Sequence, residues 1–164
     1  MPRFKIAIDG PCASGKSTVA RLLAARLGYK YVNTGAMYRA VGLALLREGI
    51  DPLDEEGAAR LLPSLEIDLQ GPVKNQRVYL NGEDVTEEVA SPEVASAASA
   101  ASSLLTVRKD LVAKQQEMSK DGGVVLEGRD IGTVVLRTRS LSSSWSRPSM
   151  NGPNADCGTT RRWV

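Results

Sequence analysis

No histidine occurs anywhere in the 164 residues. That removes the commonest general base and most zinc chemistries, so any reaction here runs without imidazole. Cysteine is nearly as scarce. Cys12 and Cys157 stand far apart and form neither a disulfide framework nor a metal-ligand spacing. A reducing cytosol fits that usage, and a cytoplasmic location is expected. No run approaches the roughly 18 apolar residues that a transmembrane helix needs, and no signal peptide is expected ahead of the first strand. The net charge is only +2, too little to argue for nucleic acid or a membrane as partner. What is present is 42% hydrophobic and 24% charged residues, ordinary for one soluble domain with a single substantial core.

Short apolar runs alternate with helical stripes along the chain. FKIAI (residues 4–8), bounded by Gly10-Pro11, reads as a buried strand. In KSTVARLLAARLG, Val19, Leu22, Leu23 and Leu27 form one helical stripe, closed by Gly28 as a C-cap. YKYV is a second short strand, and GAMYRAVGLALLREG carries Met37, Val41, Ala44 and Leu45 at helical spacing up to Gly49. Asp54 opens another helix, ending near Leu62 before Pro63. Strand, helix, strand, helix predicts an α/β fold with a central parallel sheet flanked by helices.

From about residue 64 to 86 the period changes. LEIDLQ and RVYLNGEDVT, on either side of the Gly71-Pro72 turn, alternate apolar and polar residues as a small antiparallel β insert does. Ser91-Pro92-Glu93 then supplies an N-cap, a proline at the first helical position and an acid in the first turn. ASAASAASS runs into LLTVRKDLVAKQQEM, where Leu104, Val107, Leu111 and Val112 keep a stripe, so the stretch is read as helix. GGVVLEG is another buried strand, followed by the sharp GRD.

One motif carries chemistry. Gly10-Pro11-Cys12-Ala13-Ser14-Gly15-Lys16-Ser17, with Thr18 opening the helix, fits G-x-x-x-x-G-K-[ST] between a predicted strand and a predicted helix. Glycines let the backbone curl until successive N–H groups face inward. Lys16 then reaches the outer phosphates, the Ser17 hydroxyl can ligate Mg²⁺, and the helix turns its positive end to the same phosphates. This spacing predicts a nucleoside-triphosphate site. Arg39 follows one strand end and Arg129-Asp130 another, and ligands of open α/β sheets bind beyond the carboxyl ends of the strands. Either arginine alone reads as a surface ion pair; together they point to the loop's side of the sheet. Ser99 in its Ala/Ser helix, Arg108 on its own and Cys12 in the loop need no functional explanation.

IAIDGPCASGKSTVARLLAARLGYKYVNTGAMYRA, LNGEDVTEEV with SPEV, and GGVVLEGRDIGTVV together resemble the bacterial cytidylate kinases, P-loop nucleoside monophosphate kinases of pyrimidine metabolism. The resemblance covers residues 4–136. It implies transfer of the ATP γ-phosphoryl group to CMP or dCMP with Mg²⁺, by a monomer, with Lys16, Arg39 and Arg129 catalytic. By the same resemblance Thr34, Tyr38, Arg39 and Arg129 surround the monophosphate, and Ser99, Arg108 and Asp130 contact the cytosine. Positioning and positive charge dominate phosphoryl transfer, so the lack of histidine is no obstacle. Asn33 stands where the family usually has aspartate, and Leu104-Leu105 where it often has proline. Two other readings stay open: a kinase of this fold for another small molecule or monophosphate, and a non-catalytic nucleotide-binding module using its Arg/Ser tail for a partner.

Residues 137–164 do not continue the pattern. Both tryptophans, Trp145 and Trp163, sit there among serines and arginines with no sustained period. With GC-leaning codons, restoring one cytosine at the Leu136–Arg137 codon junction lets the tail be read as PDAESQFFLVASVDERAQRRLRDDPEVG. That string holds the strand, helix start and arginine-rich lid that the resemblance calls for next. Residues 1–136 are therefore expected to be a truncated kinase core and 137–164 an out-of-frame, disordered tail. With the lid arginines absent, little or no kinase activity is expected.

Overall fold

A computed structural model describes residues 3–11, 14–136, 140–144 and 161–162, the last two segments as backbone strands. The chain divides into two units, Met1–Asn33 with Gln116–Val164, and Thr34–Gln115.

The first unit is built on a sheet. β1 (Lys5–Asp9), α1 (Lys16–Leu27) and β2 (Lys30–Asn33) open it. β6 (Val124–Gly128), β7 (Ser140–Ser144) and β8 (Arg161–Arg162) complete it, in the order β2-β6-β1-β7-β8. β6 runs parallel to β1, with Ile6 opposite Val125 and Asp9 opposite Gly128, and parallel to β2, with Tyr31 opposite Val125. Ala7, Ile8, Val124, Val125 and Leu126 are buried, as the unbroken apolar runs of a parallel sheet require.

α1 does not bury the face its leucines suggest. Its buried residues are Lys16, Ala20 and Ala24, whereas Val19, Leu22 and Leu27 are 37, 59 and 46% exposed. Alanines bring the helix axis close to the sheet, and a leucine stripe would hold it off. Phe4, read as the start of a buried strand, is half exposed, and β1 begins one residue later.

Where the tail sequence offers no period, Ser140–Ser144 is nonetheless a strand, parallel to β1, and Arg161–Arg162 pairs with it antiparallel. A strand edge offers unpaired N–H and C=O groups that any extended backbone can meet, whatever its side-chain pattern. The remainder of the expected tail, residues 137–139, 145–160 and 163–164, lies outside the described residues.

The second unit holds α2 (Thr34–Arg47), α3 (Glu55–Leu61), α4 (Pro92–Ala101), most of α5 (Leu105–Ser119) and an antiparallel sheet. That sheet is β3 (Ile67–Gln70), β4 (Arg77–Leu80) and β5 (Glu83–Asp84), within the predicted insert. Its Asn81-Gly82 turn has φ of 50° and 83°, the two positive values a tight hairpin turn demands. α2 buries Met37, Val41, Ala44 and Leu45, as their spacing predicts. A Cβ on Gly42 would come within 2.7 Å of the Ala98 backbone nitrogen, so α2 and α4 approach backbone to backbone. Asp54 caps α3 by accepting from Gly57 N–H at 3.0 Å, and Ser91 caps α4 through Val94 N–H.

The predicted helix across ASAASAASS and LLTVRKDLVAKQQEM is in fact two. α4 stops at Ala101 and α5 starts at Leu105, without a proline. The Ser102 and Ser103 hydroxyls donate back to the carbonyls of Ser99 and Ala100, at 2.7 Å each, competing with the helix ladder. Glu55 then caps α5, accepting from Thr106 N–H at 2.7 Å.

Candidate nucleotide site

β1 ends at Asp9 and the chain turns through Gly10 and Pro11 toward α1. Cys12 and Ala13 lie outside the described residues. Gly15, the residue before α1, has φ +84° and nothing within 4 Å of where a Cβ would stand. Conformation, not crowding, therefore calls for glycine there, the left-handed turn that aims N–H groups into the loop. Pro11 organises the loop from inside: its carbonyl accepts from the Ser14 hydroxyl and from the Lys16 ammonium, both at 2.9 Å. Lys16 is 9% exposed, a charge drawn into the loop rather than standing in solvent. Thr18, next on the helix, is exposed.

Ser17 faces the sheet. Its hydroxyl donates to Glu127 Oε1 at 2.7 Å, across 110 residues of sequence. Glu127, near the end of β6, is 4% exposed. A hydroxyl and a carboxylate are hard oxygen donors of the kind Mg²⁺ takes when it also keeps waters and substrate phosphate oxygens. Among the described residues no group of three or more His, Cys, Asp or Glu could cage a metal alone. Ser17 and Glu127 thus fit a cation shared with a phosphate. Sequence reading found Ser17 and missed Glu127. The available signal was an acid closing an otherwise apolar run just before a glycine.

Asp9 was missed too. Its carboxylate accepts from Ile131 N–H at 2.6 Å and Gly132 N–H at 3.0 Å, the opening of a single turn of helix, Ile131–Val135. Gly10 N–H donates to Gly128 O at 3.2 Å. These bonds tie the start of the loop to the Gly128-Arg129-Asp130 turn. Both Arg129 and Asp130 are exposed there, and Asp130 sits at φ +57°, a left-handed conformation that aspartate tolerates better than most residues. The structure therefore brings Lys16, Ser17, Arg129 and Asp130 into one unit around the carboxyl ends of β1 and β6.

Thr34, Tyr38, Arg39, Ser99 and Arg108 all belong to the second unit. Thr34 is buried at the first position of α2, directly after Asn33. Tyr38 is half-buried, and burial pushes its hydroxyl pKa up while the nearby Arg108 pulls it down. Arg39, Ser99 and Arg108 are exposed. Among the described residues neither Arg39 nor Arg108 enters an ion pair, unlike Arg47, which bridges Glu83 and Glu88. No helix among the described residues is long and apolar enough to cross a membrane.

A family model described as cytidylate kinase matches residues 6–142. A protein of Pelotomaculum thermopropionicum named cytidylate kinase is 54% identical over 132 residues, 80% of this chain and 58% of that protein. A cytidylate kinase of Caldicellulosiruptor bescii is 48% identical over 141 residues, 86% of this chain and 62% of its own. One of Bacillus subtilis is 47% identical over 134 residues, 82% and 60%. The chain spans about three fifths of the length of these curated relatives.

Proposed function

The chain belongs to the cytidylate kinase family, and from that premise we propose that its ancestral chemistry is transfer of the ATP γ-phosphoryl group to CMP or dCMP. The observation that supports this most is the loop itself. A left-handed Gly15, an inward-drawn Lys16 ammonium and the Ser17–Glu127 pair stand together at one end of the sheet. In the proposed complex, the loop Gly10–Thr18 wraps the ATP phosphates with N–H groups that follow Pro11, and Lys16 exchanges the Pro11 carbonyl for phosphate oxygens. Ser17 and Glu127 hold Mg²⁺, which supplies positive charge to the transferring phosphoryl. Arg129 adds charge near the transferred group, and Asp130 meets the base. Thr34, Tyr38 and Arg39 would receive the acceptor monophosphate, with Ser99 and Arg108 at its cytosine.

Residues 137–164 belong to the same proposal: they are read out of frame and replace the lid. A coupled ADP-release assay with CMP, dCMP, UMP and AMP tests it. The 164-residue chain is expected to turn over little or nothing. A chain with the single base restored at the Leu136–Arg137 junction should gain roughly 10³–10⁵ in rate, as charge-supplying arginines do elsewhere. Ordinary turnover by the 164-residue chain overturns the frame reading, and a restored chain preferring AMP or UMP overturns the acceptor. A second reading, ATP binding without turnover, draws support from Ser140–Ser144, which pairs along β1 although it lacks a strand pattern. ATP binding that deleting residues 137–164 abolishes would favour it.

A further inference from the structure

Ser17 and Glu127 do not meet alone. Arg21 lies one helical turn beyond Ser17, so the two share a face of α1. On the sheet, Tyr31 of β2 stands opposite Val125 of β6, and alternation puts Glu127 on the same face as Val125. Helix and sheet thus each contribute two side chains to one patch. The Arg21 guanidinium carbon lies 5.6 Å from the centre of the Tyr31 ring. Tyr31 and Glu127 are each 4% exposed.

The chemistry of the patch is directional. A carboxylate has about four lone-pair positions, and Ser17 occupies one of them on Oε1. The Tyr31 hydroxyl and Glu127 Oε2 are both buried in this patch, where burial first, and then the Glu127 carboxylate, push the tyrosine pKa up. Phenylalanine would fill the same apolar space without bringing a hydroxyl into it, and a buried hydroxyl is costly unless it is used. Ser17 fixes the carboxylate through Oε1, and the aim of its other oxygen is left to the groups around it in the patch.

We infer that Tyr31 and Arg21 are a positioning pair, holding the Glu127 carboxylate in one orientation beside Ser17 and so setting how strongly a divalent cation couples to ATP binding. This rests on the reading of Ser17 and Glu127 as the Mg²⁺ pair. Neither Tyr31 nor Arg21 touches the nucleotide or the cation; both act through Glu127.

Isothermal titration calorimetry on the full 164-residue chain tests the pair, with ATP added once in EDTA and once in excess Mg²⁺. The wild-type chain should bind ATP more tightly with Mg²⁺. Tyr31→Phe should reduce that Mg²⁺-linked gain about tenfold, at the low end of the ~10–100-fold that outer partners of metal ligands contribute, and leave ATP affinity in EDTA unchanged. Arg21→Gln, at an exposed helix position, should act in the same direction but less. It decides the matter alone if Tyr31→Phe does not fold. A wild-type Mg²⁺ gain in both variants overturns the proposal, as does a parallel loss in EDTA and Mg²⁺ with a lowered Tm, which is what mere packing would give. Glu127→Gln separates the layers. If the gain survives it, or if the wild-type chain shows none, the Mg²⁺ reading fails and the pair with it. If Glu127→Gln abolishes the gain and Tyr31→Phe does not, only the pair fails.

Discussion

The two units hold their proposed binding groups in different ways. In the unit with the loop, the groups are tied internally. Lys16 reaches the Pro11 carbonyl, Ser17 reaches Glu127, and Asp9 holds the turn after β6 through two N–H groups. In residues 34–115, Arg39, Ser99 and Arg108 are exposed tips on helices whose places are set by packing, such as Gly42 of α2 against the Ala98 backbone. A phosphate cradle made of curled main chain depends on a few adjacent residues. An acceptor pocket made of side-chain tips depends on where several helices come to rest. The first should fail through its own residues, and the second through core residues remote from any ligand.

The largest expected effect tests the first half of that contrast. Lys16→Ala should weaken ATP binding ~10–100-fold, the loss of one charge-assisted contact worth about 1.5–3 kcal/mol. Arg39→Ala should leave ATP affinity as it is; equal losses by calorimetry would erase the distinction. Next, Gly42→Ala should destabilise the fold by about 1–3 kcal/mol in urea, because the added methyl meets backbone that cannot rotate away. A variant as stable as wild type would show that α2 and α4 have slack. Asp54→Ala should cost about 1 kcal/mol, the value of one helix cap, with no change in ATP affinity.

The smallest effect lies on the insert. The Thr86 hydroxyl, with Arg77 and the Thr86 N–H, holds the Asp84 carboxyl down at about 2, against an ordinary 3.8. A folded value below the unfolded one means that the stabilisation is present above pH 3.8 and is lost as pH falls through about 2. Carbon NMR should find that midpoint, and Thr86→Val should raise it. Because Asp84 is on the surface, Arg77→Gln, which removes only its ion pair, should barely change global stability at neutral pH.

Much of the fold is legible in the chain because it is decided locally. Gly28 and Gly49 close their helices with positive φ, Asp54 and Ser91 open theirs, and Asn81-Gly82 turns its hairpin. The break between α4 and α5 escaped because a serine's choice between solvent and its own helix carbonyls leaves no periodic mark. Half of the candidate site was similarly hidden. The loop announces itself by spacing, whereas Glu127, Asp9 and Tyr31 are single residues whose partners are brought near only by strand pairing.

Read alone, the chain determined its glycine-rich loop and most of its elements and their order, since backbone curl and apolar spacing act between neighbours a few residues apart. Which face of α1 turns inward, and which acid meets Ser17, were decided only when β6 settled between β1 and β2. A periodic stripe says that a face exists. It carries no record of what will cover it, because that contact energy belongs to two distant segments at once.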